Sequence, residues 1–165
     1  MWNDLVRRQV HSDYLSMLQV DDVGWISAHF PSGTSPTDKE KWDNVISVLS
    51  STVSTWQSTE PLVRRWYMGM DANLTLPGNI HDTTGDLVSS KVTKVPDCIH
   101  SLVALLSSLK LALINTFEEA CNHEHSKGPI TWADTQGNES QIDYVGLPLW
   151  SQAKFSLIKG DFRTS

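Results

Sequence analysis

The stretch Arg65-Trp66-Tyr67-Met68-Gly69-Met70-Asp71-Ala72-Asn73 decides the fold, because an apolar run ends there in an acid and an amide. Such a run is typical of a β-strand. Side chains two residues apart on an extended segment point to the same face, so Asp71 and Asn73 can reach one small site. A plain turn is the alternative on these residues alone, since Asp and Asn are common turn residues.

A helix is predicted ahead of this strand. Ser35-Pro36-Thr37-Asp38 offers capping oxygens and a proline that a first helical turn accepts. Over Asp38–Gln57 an apolar stripe recurs at three- and four-residue spacing, formed by Trp42, Val45, Ile46, Leu49, Val53 and Trp56. Glu60-Pro61 ends the helix, and Leu62–Met70 is the predicted strand. This order indicates a layered α/β domain with helices packed on a sheet.

A β-hairpin is predicted at the start of the chain. Tyr14–Val20 has a strand pattern, Asp21-Asp22-Val23-Gly24 is a turn signal, and Trp25–Phe30 is a second β-rich run. Trp2–Val10 fits a helix or a strand, and the sequence leaves both open.

After Asn73 the pattern is a polar loop, a helix and short strands. Residues 74–96 form a loop whose length indicates a functional or mobile segment. Ile99–Leu109 is amphipathic and predicts a second helix. The predicted strands that follow are Leu111–Phe117, Pro129–Trp132, Gln141–Val145 and Ser151–Ile158.

Composition narrows the class of protein. The chain of 165 residues fits one domain, and its formal charge of −6 argues against broad electrostatic affinity for DNA. The acidic balance suits a site for a divalent cation. There is neither a signal peptide nor a run of ~18 apolar residues. With Cys98 and Cys121 taken as free thiols, we expect an intracellular protein, nuclear or cytoplasmic, without membrane contact.

Four features together carry a resemblance. Met68–Asn73 is similar to a Gly-Asp-Phe-Asn strand end, and Leu111–Phe117 is similar to a strand that follows a central helix. Ile130-Thr131-Trp132 and Ser140–Val145 match a Thr-Trp, gap, Ile-Asp-Tyr-Ile pattern. Ile26–Ser32 resembles a strand with a Pro-containing turn. In this order the features resemble the endonuclease/exonuclease/phosphatase superfamily, and most closely the endonuclease domains of LINE-type retrotransposons.

The resemblance implies a fold and a set of roles. The implied fold class is α/β (α+β layered). Its architecture is a four-layer sandwich of two mostly antiparallel sheets with outer helices. Asp71 resembles the carboxylate that positions or deprotonates the attacking water, and Asn73 resembles the amide at the phosphate. Asp143 resembles the acid that orients a catalytic histidine, and His29 falls near the phosphate. Mg²⁺ or Mn²⁺ would be held by Asp71 and Asn73, since hard cations prefer oxygen ligands.

Two departures from the family pattern set a further expectation. Nothing in Met1–Val20 matches the family's metal-binding Glu, and Gly160–Ser165 stops where the family's Asp-His would follow. Residues 1–165 are therefore interpreted as a single partial domain that is weakly active or inactive, with sheet faces left uncovered.

Three functions stay open. The first is Mg²⁺-dependent cleavage of DNA by a retroelement endonuclease, part of a polyprotein with reverse transcriptase. The second is a non-catalytic remnant of the fold. The third is a phosphatase or RNA-directed nuclease of the same superfamily, with the choice of substrate made by loop 74–96.

Other polar residues have plainer interpretations. Cys121-Asn122-His123-Glu124-His125 contains zinc-ligand types, but the spacing fits no standard finger and a solvent loop is preferred. Asn115 is interpreted as holding a turn rather than touching substrate. For His29 a structural hydrogen bond and a role near the phosphate are equally open.

Overall fold

A computed structural model of the chain describes residues 5–33, 35–88, 97–120, 130–133, 135–136 and 139–149. The helices are α1 (Pro36–Ser58) and α2 (Asp97–Ser108), with short 3-10 helices at Ile114–Thr116 and Glu118–Ala120. The strands are β1 (Val6–His11), β2 (Leu15–Val20), β3 (Val23–His29), β4 (Arg65–Asp71), β5 (Leu111–Leu113), β6 (Trp132–Ala133), β7 (Glu139–Ser140) and β8 (Asp143–Pro148).

Within these ranges six strands form one sheet in the order β1-β2-β3-β4-β8-β5, and β6 pairs with β7. Only β3 and β4 run parallel; the other neighbours are antiparallel. This mostly antiparallel sheet, with helices packed on it, confirms the predicted layered fold class. A second large sheet is not seen in the part of the chain that the structure describes, so that layer stays a prediction.

The first three strands confirm the predicted hairpin and extend it. Val20 lies opposite Val23, which leaves Asp21 and Asp22 as a two-residue turn. Asp21 has a φ of 52°, a conformation that Asp accepts in tight turns. Residues 6–10 of the ambiguous segment Trp2–Val10 belong to β1, so the strand interpretation applies to them.

Helix α1 begins with the predicted cap. The Ser35 hydroxyl accepts the Asp38 N–H, and the Asp38 carboxylate accepts the Ser35 N–H. These two bonds satisfy donors that the first turn leaves unpaired. The six residues of the predicted stripe are the ones that the helix buries.

Among the described residues, the sheet buries one face against the core and leaves the other open. Along β3, β4 and β8 buried and exposed residues alternate, as expected when only one face meets a core. The core face packs with residues of α1 and α2, and its members on these strands include Ile26, Ala28, Met68, Met70 and Tyr144. On the open face Trp25 is 48% exposed and stacks on Tyr67, with ring centroids 4.7 Å apart.

The predicted strand Leu111–Phe117 is wrong beyond Leu113. The Thr116 hydroxyl donates to the Leu113 carbonyl and accepts the Gly85 N–H, at 2.6 and 2.8 Å. The bond to Leu113 is local and competes with a strand ladder, while the bond from Gly85 comes from a distant part of the chain. With both in place the chain turns into a 3-10 helix instead.

The remaining predicted strands agree with the structure only in part. Of Pro129–Trp132 only the end belongs to β6, and Gln141–Val145 overlaps β8, which begins at Asp143. Ser151–Ile158, Cys121 and the zinc candidate at 121–125 lie outside the described residues. No helix among the described residues is long and apolar enough to cross a membrane.

Candidate functional site

Three neighbouring strands bring His29, Asp71 and Asp143 into one row. In the parallel β3–β4 pair His29 lies opposite Asp71, and in the antiparallel β4–β8 pair Asp71 lies opposite Asp143. All three occupy positions that alternate with buried residues, so they share the open face. The strand register therefore aligns three of the four predicted site residues, which are distant in the sequence, and the fourth, Asn73, bonds to Asp71 from two residues away.

Asp71 and Asp143 form a close pair across their strands. The Ala72 N–H donates to the Ile142 carbonyl at 2.7 Å, which makes these two residues a hydrogen-bonded pair. Asp71 and Asp143 are the next pair along the antiparallel ladder, and so they form the non-hydrogen-bonded type, with Cα atoms about 4.5 Å apart. Like charges placed directly opposite destabilise a sheet unless a proton or cation lies between them.

The Asp71 carboxylate is held on both oxygens. Its Oδ2 lies 3.0 Å from His29 Nδ1, and its Oδ1 accepts the Asn73 N–H at 2.9 Å. The His29 side chain is 59% exposed and that of Asp71 is 30% exposed, so both remain accessible from the open face. A carboxylate at Nδ1 fixes the imidazole tautomer and leaves Nε2 free to exchange a proton.

Asn73 lies beside this pair in a left-handed turn. Its φ is 51°, a conformation that Asn adopts more readily than most residues. Its side-chain Nδ2 donates to the Phe30 carbonyl at 2.7 Å, which ties the end of β4 to the end of β3. One amide N–H is used in this bond, and the second N–H and Oδ1 face no other described partner.

Sequence reasoning did not assign a role at this site to Asn115 or Thr131. The Asn115 amide bonds the backbone of β8 at Asp143 and Val145, and it is 3% exposed. Thr131 Oγ1 accepts the N–H groups of Ile142 and Asp143, both at 3.0 Å. The sequence signal was an amide directly after the apolar residues 111–114, and the interpretation of Asn115 as a turn holder captured only its local part.

The donor types of the site fit a hard divalent cation. Asp71 and Asp143 supply carboxylate oxygens from adjacent strands, and Asn73 supplies an amide oxygen. No group of three or more His, Cys, Asp or Glu side chains converges as a metal cage among the described residues. Mg²⁺ does not require such a cage, because it commonly binds through one or two carboxylates and keeps waters or substrate phosphates as its other ligands.

Cys98 is separate from this chemistry. The thiol is free and buried in the core, and burial raises its pKa. A thiol of raised pKa is a poor nucleophile, so Cys98 belongs to the packing of α2.

Comparison with known proteins agrees with the fold that the motifs predict. No protein-family model and no curated protein sequence matches the chain. Among solved structures, the 3′ phosphatase NExo from Neisseria, bound to a product DNA hairpin, matches with a TM-score of 0.54 and 12% identity. The match covers 87% of this chain and 58% of NExo, so the chain spans less than two thirds of that protein's length. At such identity the likeness concerns the fold alone, and the chain shares the layered α+β fold of this 3′ phosphatase.

Proposed function

We propose that the chain carries part of a metal-dependent site that hydrolyses phosphodiester bonds in DNA, of the endonuclease type found in LINE retroelements. The observation that supports the proposal is the row of His29, Asp71 and Asp143 across three adjacent strands, with Asn73 beside it. The fold shared with a phosphatase whose structure holds DNA adds to it. In this proposal the chain works as part of a polyprotein with reverse transcriptase.

The side chains of the row suit the steps of hydrolysis. Asp71 orients the attacking water and accepts its proton, and His29, which donates from Nδ1 to Asp71 Oδ2, holds that carboxylate in orientation. The free amide N–H of Asn73 donates to a phosphate oxygen as charge develops there. Asp71 and Asn73 would hold Mg²⁺ or Mn²⁺, with Asp143 as a second carboxylate. The bound cation supplies charge neutralisation at the phosphate and a more acidic water.

We expect the activity of this chain to be weak. The three strands that form the row, β3, β4 and β8, carry neither a Glu nor a second His. A metal held by few protein ligands binds loosely, and a single base contributes only a factor of about 10²–10⁴.

Plasmid nicking in Mg²⁺ and in Mn²⁺ tests the proposal. Asp71→Asn preserves the volume of the side chain but removes its charge, and we expect the nicking rate to fall by about 100-fold or more. Asp43→Asn, at an exposed position of α1, is the matched control and keeps the rate of the unmodified chain. Broadening of NMR signals by Mn²⁺ at residues 71, 73 and 143 is the second readout, because it needs no turnover.

The outcomes separate the alternatives. Broadening without nicking supports a remnant that keeps its metal site but not its catalysis. If Mn²⁺ causes no broadening and the plasmid is not nicked, the proposal is contradicted.

Removal of a 3′ phosphate from DNA is the second candidate function, because the matched structure is that of a 3′ phosphatase. A hairpin with a 3′ phosphate, added to the same assays, distinguishes this activity from nicking. RNA of the same sequence tests the RNA-directed alternative.

A further inference from the structure

We propose that Asn115 and Thr131 are positioning residues for Asp143: together they replace a missing strand along β8 and hold the carboxylate opposite Asp71. The inference rests on the proposed function only for its effect on catalysis. Its structural part can be tested whether or not the chain cleaves DNA.

The argument begins with the edge of β8. Asp143 and Asp71 form a non-hydrogen-bonded pair, so the N–H and C=O of Asp143 point away from β4. On that side the neighbouring strand is β5, whose pairing with β8 runs only from Leu113–Gly146 to Leu111–Pro148. The part of β8 that carries Asp143 therefore has no strand partner on one edge among the described residues.

The Asn115 side chain takes the place of that strand. Its Nδ2 donates to the Asp143 carbonyl at 2.9 Å, and its Oδ1 accepts the Val145 N–H at 3.0 Å. An amide side chain offers the same donor and acceptor as a peptide unit, so it can bridge a C=O and the N–H two residues on, as a strand partner would. The backbone carbonyl of Asn115 accepts a hydrogen bond from Nε2 of the buried Gln141 at 2.9 Å, and this bond holds Asn115 in place.

Thr131 completes the arrangement at the N–H of Asp143, on the same edge of β8. Its Oγ1 accepts the N–H groups of Ile142 and Asp143. With Asn115 on the carbonyl, both backbone polar groups of Asp143 are held by side chains. The backbone position from which the Asp143 carboxylate projects is thus set by Asn115 and Thr131.

The variants separate positioning from general stability. Asn115→Asp keeps the acceptor for Val145 but places an oxygen against the Asp143 carbonyl. Thr131→Val keeps the shape of Thr131 and removes its oxygen, while Thr131→Ser keeps the oxygen and should rescue. The first readout is the nuclear Overhauser effect between the Hα atoms of Asp71 and Asp143, which non-hydrogen-bonded antiparallel pairs bring close.

We expect Asn115→Asp and Thr131→Val to weaken this Hα–Hα contact at least twofold. The equivalent contact between Gly69 and Val145, the next such pair, serves as the internal control and stays stronger. Where nicking is measurable, kcat should fall about tenfold or more with little change in KM, and Thr131→Ser should restore it.

Two results would overturn the inference. One is an unchanged Asp71–Asp143 contact in both Asn115→Asp and Thr131→Val. The other is an equal loss of both cross-strand contacts, which would mean that these residues serve only the stability of β8. A chain that neither nicks nor binds Mn²⁺ but shows the selective loss at Asp71–Asp143 would contradict the proposed function and leave the positioning role intact.

Discussion

At the scale of single residues, Asn73 combines a backbone role with a chemical one. Its positive φ favours Asn or Gly, and its side chain bonds the Phe30 carbonyl. Asn73→Gly removes the bond but accepts the turn, and we expect a cost of about 1 kcal/mol in unfolding free energy. Asn73→Ala loses the bond and strains the turn, for about 2 kcal/mol. Urea denaturation measures both, and an alanine variant as stable as the glycine variant would contradict the argument.

Tyr144 makes the free energy of unfolding depend on pH in the alkaline range. Its hydroxyl donates to the Gln141 carbonyl and accepts the Leu76 N–H, and burial raises the pKa of Tyr144 to about 12. In the unfolded chain the phenol ionises from about pH 10, so the folded state is favoured below that pH and loses this advantage as pH rises from 10 to 12. We expect a loss of up to about 2–3 kcal/mol over that window.

Tyr144→Phe tests this pH dependence. The variant should cost about 1–2 kcal/mol at pH 7, because the Leu76 N–H is left without its partner. Between pH 10 and 12 it should lose less stability than the unmodified chain. Equal losses in urea titrations at these pH values would show that Tyr144 does not control the alkaline limit.

At the scale of elements, the N-terminal cap of α1 couples two side chains, so the stability that Ser35 contributes should depend on the charge of Asp38. The Ser35 hydroxyl lowers the pKa of Asp38, so this carboxylate supports the cap above its ordinary pKa and loses that effect as pH falls below it. Ser35→Ala should cost about 1 kcal/mol at pH 7 and less at pH 3. Ser51→Ala, at an exposed position inside the helix, is the control and should be neutral or slightly stabilising. A cost for Ser35→Ala that does not change with pH would mean that the two side chains do not act together.

The elements also show what local sequence can and cannot predict. Apolar periodicity predicted both ends of α1 to within two residues and predicted that Asp143 lies on the face opposite the core. Both features depend on neighbours along the chain. The row of His29, Asp71 and Asp143 depends on the order β3-β4-β8, which joins strands far apart in sequence. The motif resemblance suggested that grouping, whereas periodicity did not. Apolar periodicity did not predict the end of β5, because that end depends on polar bonds: a local one from Thr116 to Leu113, and distant ones that join Thr116 to Gly85 and Asn115 to Asp143.

At the scale of the whole molecule, the two faces of the sheet have opposite environments. The core face is packed under both helices, whereas the open face exposes the Trp25–Tyr67 stack and Val145, which is 46% exposed. A groove of about 500 Å³ crosses this open face beside Gly69, where an added methyl group would meet no other atom within 4 Å. Contiguous exposed apolar side chains are typical of surfaces where another layer or molecule packs.

Two adjacent residues of β3 test which face carries the stability of the isolated chain. Ile26 is 4% exposed on the core face, and we expect Ile26→Ala to cost about 3 kcal/mol through lost contacts and a cavity. Trp25→Ala should cost only about 1 kcal/mol, the value of its stacking on Tyr67, although it removes the larger side chain. Urea denaturation at two protein concentrations checks both. A Trp25→Ala cost that approaches that of Ile26→Ala and grows with protein concentration would show that the open face is covered by association in solution.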